Sequence, residues 1–256
     1  MAIFGNSSNP AMKESIFEKV ALVSSPGGTM TVKGSVIKTF LLLAMTIFAA
    51  SFTWYTVYHA NSPTAVTPWL WGGLISGFVL AMIICFAPKT SPYLAPLYAV
   101  AEGFALGGIS AFFETAFAEK FPGIVLTAVS ITLLTALIML FCYQTGLIKV
   151  TNRLRSVIVI ATISIAAFYF VVIILNLFKV ATPFYHGSSL LSIGISAVIV
   201  VIAALNLLLD FDFIEKGSQA GAPKYMEWYG AFGLLLTLVW LYLEILRLLS
   251  KIASRN

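Results

Sequence analysis

The chain has 256 residues, of which 60% are hydrophobic and 10% charged, and it carries a formal net charge of +5; its mean hydropathy is +0.98. Soluble domains are about a quarter charged, so water is excluded as the solvent of most of this surface and a lipid bilayer takes its place. The cations are spread over the chain ends and connections instead of forming one patch, which argues against a nucleic-acid partner and makes them reporters of orientation.

Residues 1–35 read as a polar N-terminal tail, interrupted by Pro10, Pro26, Gly27 and Gly28. Within it Met12, Ile16, Val20 and Val23 recur at helical spacing, while Lys13, Glu14, Glu18 and Lys19 take other faces. This pattern fits a short helix lying on the membrane surface, and it fits a frayed tail as well. The mixed composition ahead of the first apolar stretch makes that stretch a true span rather than a cleavable signal.

Seven apolar runs follow: Val36–Tyr58, Pro68–Phe86, Tyr93–Phe113, Pro122–Tyr143, Leu154–Phe178, Ser189–Leu209 and Trp228–Leu249. Each is about 19–25 residues, the length a hydrocarbon core demands. Breaker residues separate them: Asn61-Ser62-Pro63, Pro88 to Pro92, Phe121-Pro122-Gly123, Thr182-Pro183 and Gly217 to Pro223. The predicted fold is therefore an all-α integral membrane protein, a seven-transmembrane-helix bundle over residues 36–256. Trp54, Tyr58, Trp69, Trp71, Tyr93, Tyr143, Tyr185 and Trp228 fall near run ends, where aromatic anchors belong. No internal repeat is visible, so an inverted-repeat transporter is not supported.

With the N-terminus in the cytoplasm, Lys13, Lys19, Lys33, Lys38, Lys89, Lys149, Arg153, Arg155, Lys216 and Lys224 fall inside. Lys120, Lys179, Arg247, Lys251 and Arg255 then fall outside. The bias predicts a cytoplasmic N-terminus and leaves a basic C-terminus on the far side. Gly73, Gly77 and Ala81 are spaced by four, as are Ala95, Ala99, Gly103, Gly107 and Ala111. Such stripes let helix backbones approach closely in lipid and predict tight packing. Cys85 and Cys142 lie inside apolar runs and read as packing residues.

An ionisable group at the bilayer centre costs about 2.5–3.5 kcal/mol on insertion scales and is a functional candidate by default. Glu102 lies midway along the third run, Asp210 and Asp212 close the sixth, and Glu244 lies well inside the seventh; Asn176 and Asn206 add amides. All are oxygen donors, which suit hard cations such as Ca²⁺ or, for the acids, protons. Each has a structural alternative. Glu102 stands beside the small-residue stripe and can be a neutral acid bonded to a backbone carbonyl. Glu244 can pair with Arg247 three residues on. Asp210 and Asp212 open the stretch Asp210–Glu227, where one of them can be a solvated loop charge. Asn206 and Asp210, one turn apart, share a helix face.

Enzyme readings fare poorly. There is no G-x-S-x-G, H-E-x-x-H or glycine-rich phosphate loop, and His59 and His186 fall in predicted connections. Gly108-Ile109-Ser110, which could present a serine nucleophile, lacks a histidine in a neighbouring span. No cofactor is expected.

The chain resembles the Bax inhibitor-1 family, also called the transmembrane Bax-inhibitor-motif family, in its bacterial branch. Thr29-Met30-Thr31-Val32 with Gly34 and Lys38 carry the resemblance first, followed by Ala95-Pro96-Leu97-Tyr98 running to Glu102-Gly103. Leu208 to Ile214, Met226-Glu227-Trp228-Tyr229 and Trp240 to Leu249 complete it. The resemblance implies a bundle with the last helix near its centre, in a bacterial cytoplasmic membrane, working as a pH-sensitive Ca²⁺ leak channel. It also implies an acidic pair on the sixth and seventh helices as gate and pH sensor. By motif these are Asp210 and Glu244, which would also meet the transported Ca²⁺. Glu102, Asn206, Asp212 and Arg247 would support them. Two departures stand out: Glu replaces Asp at the second position, and the second run carries no arginine. The resemblance further implies the alternative of a non-conducting regulator that binds another membrane protein, such as a quality-control protease.

Overall fold

The computed structural model describes residues 28–59, 66–180 and 187–255. The expected interfacial helix around Met12–Val23 and the position of His186 lie outside the described residues.

Among the described residues, seven helices are long and apolar enough to cross a membrane. They are α1 (Val32–His59), α2 (Thr67–Phe86), α3 (Ser91–Ala116), α4 (Ile124–Gln144), α5 (Asn152–Leu177), α6 (Leu190–Gln219) and α7 (Met226–Arg255), with a 3₁₀ turn at Pro88–Thr90 ahead of α3. Among the described residues there is no strand, only an isolated antiparallel bridge between Thr29 and Pro223. Local chemistry sets several ends. Pro68 enters the first turn of α2, where its missing N–H is not needed. The Thr151 hydroxyl caps α5 by accepting from Leu154 N at 3.2 Å. Gly123, at φ 78°, makes the left-handed turn ahead of α4. Hydroxyls inside the spans return to the carbonyl one turn back, as Thr39 does to Ser35 at 2.9 Å and Thr132 to Ala128 at 2.7 Å. They are thereby satisfied without water.

Two ends differ from the sequence reading. α6 does not stop at Leu209 but continues to Gln219, so Asp210 and Asp212 are helical and buried instead of opening a loop. The apolar run ended there because two carboxylates interrupt the hydropathy, whereas the backbone needs only its own hydrogen bonds to go on. His59 likewise sits in the last turn of α1, its ring stacked on Tyr55 at 3.9 Å.

The chain forms two compact units. One comprises the described part of Pro10–Ala116 together with Asp212–Leu236, and so holds α1 to α3, the end of α6 and the start of α7. In it α3 packs against both α1 and α2, and the small-residue stripes are the reason. A Cβ on Gly103 would lie 2.7 Å from Ala49 Cβ, and one on Gly73 would lie 2.5 Å from the Ala101 carbonyl oxygen. The packing expectation is met by backbone approach. The other unit comprises Phe117–Phe211 and the described part of Thr237–Asn256, and holds α4, α5, most of α6 and the rest of α7. Of the seven spans, α7 is the most enclosed, with α3 next. Tyr229, Phe232, Leu235, Leu241 and Leu246 leave no exposed surface.

Candidate functional site

In the unit built from α4 to α7, Glu244 is almost fully buried. The Tyr169 hydroxyl of α5 donates to its carboxylate at 2.5 Å, Arg247 Nη1 reaches both oxygens at 3.0 and 3.1 Å, and Trp240 Nε1 approaches at 3.3 Å. The guanidinium also bonds to Tyr169 Oη at 3.0 Å and lies over its ring. The expected i,i+3 pair of Glu244 with Arg247 is present, closed by a tyrosine that the sequence did not point to. One turn further on, the buried Lys251 donates to Ser196 Oγ at 2.7 Å and to the Ser192 carbonyl. The far half of α7 thus carries a buried acid, Glu244, a buried cation, Lys251, and the partly exposed Arg247.

Asp210 is fully buried on α6. Asn206, one turn earlier, donates its amide to Thr162 Oγ1 at 2.9 Å and to the Ile202 carbonyl at 2.8 Å, so its NH₂ group ties α6 to α5. The hydrogen bonds of Glu244 go to Tyr169, Trp240 and Arg247, and Asp210 is not among its partners. Axial position is the reason. Asp210 lies nine residues before the end of α6 and Glu244 eighteen after the start of α7; at 1.5 Å per residue these are depths of about 14 and about 27 Å from the connection joining the two helices.

In the other unit, Asp212 pairs with Lys216 one turn on, at 2.8 Å. Glu102 is half-buried on α3. Its partner is the Tyr98 hydroxyl one turn earlier instead of a backbone carbonyl. Its carboxylate lies over Gly77 of α2, where a Cβ would come within 3.1 Å of Oε2.

A carboxylate held by four separate donor groups belongs to Glu227, which sequence reasoning noted only as part of a family segment. Its side chain has no exposed surface. It accepts from Thr31 N at 2.9 Å, Thr31 Oγ1 at 2.7 Å and Lys224 Nζ at 2.7 Å, and it is bonded by Lys38. Lys38 also lies over the Trp228 ring. Gly34 completes the site, because any side chain there would overlap the carboxylate. Backbone bonds extend the contact: Met30 N to the Ala222 carbonyl at 2.6 Å and Lys224 N to the Gly28 carbonyl at 3.1 Å. Two ammonium groups and two further donors around one carboxylate make a site for an ionised acid. It fastens the segment entering α1 to the segment entering α7. Nearby, burial raises the pKa of the Tyr225 hydroxyl above its ordinary value.

Among the described residues no three of His, Cys, Asp or Glu gather as a metal-binding group. Cys85 and Cys142 are free thiols.

Seven membrane-crossing helices with acids held inside them define the class: an integral, multi-pass membrane protein of a lipid bilayer. The sequence model of the Bax inhibitor 1 like family matches residues 6–254, and the chain belongs to that family. Neither the curated proteins nor the solved structures contain a match to it.

Proposed function

We propose that the protein is a pH-modulated leak pathway for cations, Ca²⁺ among them, with Asp210 and Glu244 as the acids on that pathway. The observation that supports this best is the burial of both carboxylates within membrane-crossing helices, a placement whose desolvation penalty makes function the default explanation. In this reading the acids act in sequence along the axis instead of sharing one proton. Arg247 competes with the cation for Glu244, and protons compete with it at either acid. Hard cations accept flexible sets of oxygen ligands, so water and amide oxygens complete the shell at each stop. The test is Ca²⁺ entry into proteoliposomes holding only this protein, between pH 6 and 8, for wild type, Asp210→Asn, Glu244→Gln and the double variant. Each single variant is expected to flatten the pH profile. Four superimposable profiles would remove both acids from the pathway.

A second reading is favoured by the close engagement of Glu244 with Arg247 and Tyr169, which suits a structural ion pair better than a permeation site. In it the protein is a non-conducting membrane regulator that binds another membrane protein, such as a quality-control protease. Absence of flux from all four proteins would favour it.

A further inference from the structure

The start of α1, the turn between α2 and α3, and the α6–α7 connection meet at one end of the unit that holds α1 to α3. Backbone bonds join Met30 to Ala222 and Lys224 to Gly28. The Ser218 hydroxyl donates to the Met30 carbonyl at 3.3 Å, and the Ser91 hydroxyl to the Tyr225 carbonyl at 3.1 Å. Every lysine among the described residues of this unit lies on or beside these segments: Lys33, Lys38, Lys89, Lys216 and Lys224, five cations against the three acids Asp212, Glu215 and Glu227. At the opposite end of α1 to α3 the described residues carry His59 and Glu114 and neither lysine nor arginine.

Two of the acids are already balanced. Glu227 is enclosed with Lys38 and Lys224, and Asp212 pairs with Lys216. Lys33 and Lys89 are exposed and make no ion pair among the described residues. Lys224 is half exposed and directs one of its three N–H donors at Glu227. Lys33 lies two residues past Thr31, which bonds Glu227, and Lys89 two before Ser91, which bonds Tyr225, so all three border the stretch Lys224–Glu227. They also border the apolar surface that meets acyl chains. Ile37 and Phe40, one and two turns past Lys33, are exposed, as are Phe86 and Tyr93 on either side of Lys89 in the chain. Trp228, an aromatic suited to the headgroup level, lies beneath the Lys38 ammonium. Free phosphate would gain nothing from the apolar neighbours, whereas a phospholipid, with a phosphodiester at the head of two hydrocarbon chains, matches both parts of this surface.

We propose that this end of the unit is a binding surface for anionic phospholipids, with Lys33, Lys89 and Lys224 drawing the headgroup phosphate and the acyl chains lying along the exposed faces of α1 to α3. Ammonium groups held at the edge of a hydrocarbon layer attract an anionic headgroup. A zwitterionic headgroup brings a cation of its own, which offsets that attraction. The bonds around Glu227 keep Lys224 beside the start of α1, and so keep the cations of separate segments on one rim. The surface serves a conducting protein and a non-conducting one alike.

The test is native mass spectrometry of the full chain in detergent, titrated with phosphatidylglycerol and with phosphatidylcholine of the same acyl chains. Phosphatidylglycerol is expected to bind at least about tenfold more tightly, and Lys33→Gln and Lys89→Gln are each expected to weaken it by about fivefold while leaving phosphatidylcholine unchanged. Neither lysine is part of an ion pair, so both variants are expected to fold. Lys120→Gln, exposed in the other unit, is the unaffected control. Equal affinity for the two lipids, or wild-type binding of phosphatidylglycerol in the Lys33→Gln/Lys89→Gln double variant, would overturn the surface. Inorganic phosphate at matched concentration is expected not to bind; binding as tight as that of phosphatidylglycerol would assign the lysines to free phosphate and overturn the lipid.

Discussion

Replacing Glu227 by glutamine keeps the shape of the side chain and removes its charge. The amide oxygen still accepts from Thr31, but the NH₂ group then faces an ammonium, and two donors meet. Exposure decides how the loss divides between the two cations. The Lys38 side chain is 17% exposed and that of Lys224 is 49% exposed, against a carboxylate with none. Removing one partner of a buried pair costs about 3–5 kcal/mol, and Glu227→Gln is expected in that range. Lys38→Met loses a charge-assisted hydrogen bond worth about 1.5–3 kcal/mol. Lys224→Ala belongs with surface pairs, at about 0–1 kcal/mol. A double-mutant cycle separates these terms. Measured by reversible SDS unfolding in mixed micelles, the Glu227–Lys38 coupling should exceed the Glu227–Lys224 coupling by at least about 0.5 kcal/mol, the gap between the two classes of pair. The smaller coupling should also be the one that salt screens. Equal couplings, or a Glu227→Gln protein as stable as wild type, would refute the reasoning.

Gly103→Ala should destabilise strongly, since the new methyl meets the Thr46 carbonyl and Ala49 across the α1–α3 contact, whereas Gly72→Ala, with nothing within 4 Å, should be neutral or stabilise by up to about 1 kcal/mol; thermal unfolding of the two variants compares them directly. Gly34→Ala should destabilise while Glu227 is present and cost much less in a Glu227→Ala background, where the carboxylate that blocks it is gone. Tyr169→Phe should lose about 1–2 kcal/mol, because Arg247 still holds Glu244, whereas Arg247→Met leaves a buried carboxylate with neutral partners and should lose about 3–5 kcal/mol. Single cysteines at the exposed Lys89 and Lys120 should label from the cytoplasmic and the opposite side respectively, and the reverse pattern would invert the orientation read from the lysine and arginine distribution.

The membrane class and the seven spans were legible because lipid imposes one rule on every span: about 20 apolar residues and an internally bonded backbone. Hydropathy does not show where such a helix stops. Asp210 and Asp212 ended the sixth apolar run, yet the Asp212–Lys216 pair that helps carry α6 onward was already written in the i,i+4 spacing. The same local rule made Glu244–Arg247 legible and left Tyr169 hidden, because that partner is 75 positions earlier. For Glu227 the distance is greater still. Thr31 lies 196 positions away and Lys38 189, and no periodicity reaches across the whole chain. The resemblance had singled out both segments, Thr29 to Lys38 and Met226 to Tyr229, without indicating that they touch.

Helical arithmetic also separates what motif reasoning placed together. An acidic pair across α6 and α7 would require Asp210 and Glu244 at one depth, and continuation of α6 past Asp210 goes only part of the way. Asp210 lies nine residues before the end of α6 and Glu244 eighteen after the start of α7, a difference of about two and a half helical turns. Glu244 instead finds its charge partner on its own helix and its hydroxyl partner on α5. In the proposed pathway the two acids therefore act at separate points instead of sharing one proton. If both serve one pathway, Asp210→Asn and Glu244→Gln should therefore remove different parts of its pH dependence, and the double variant should lose the sum.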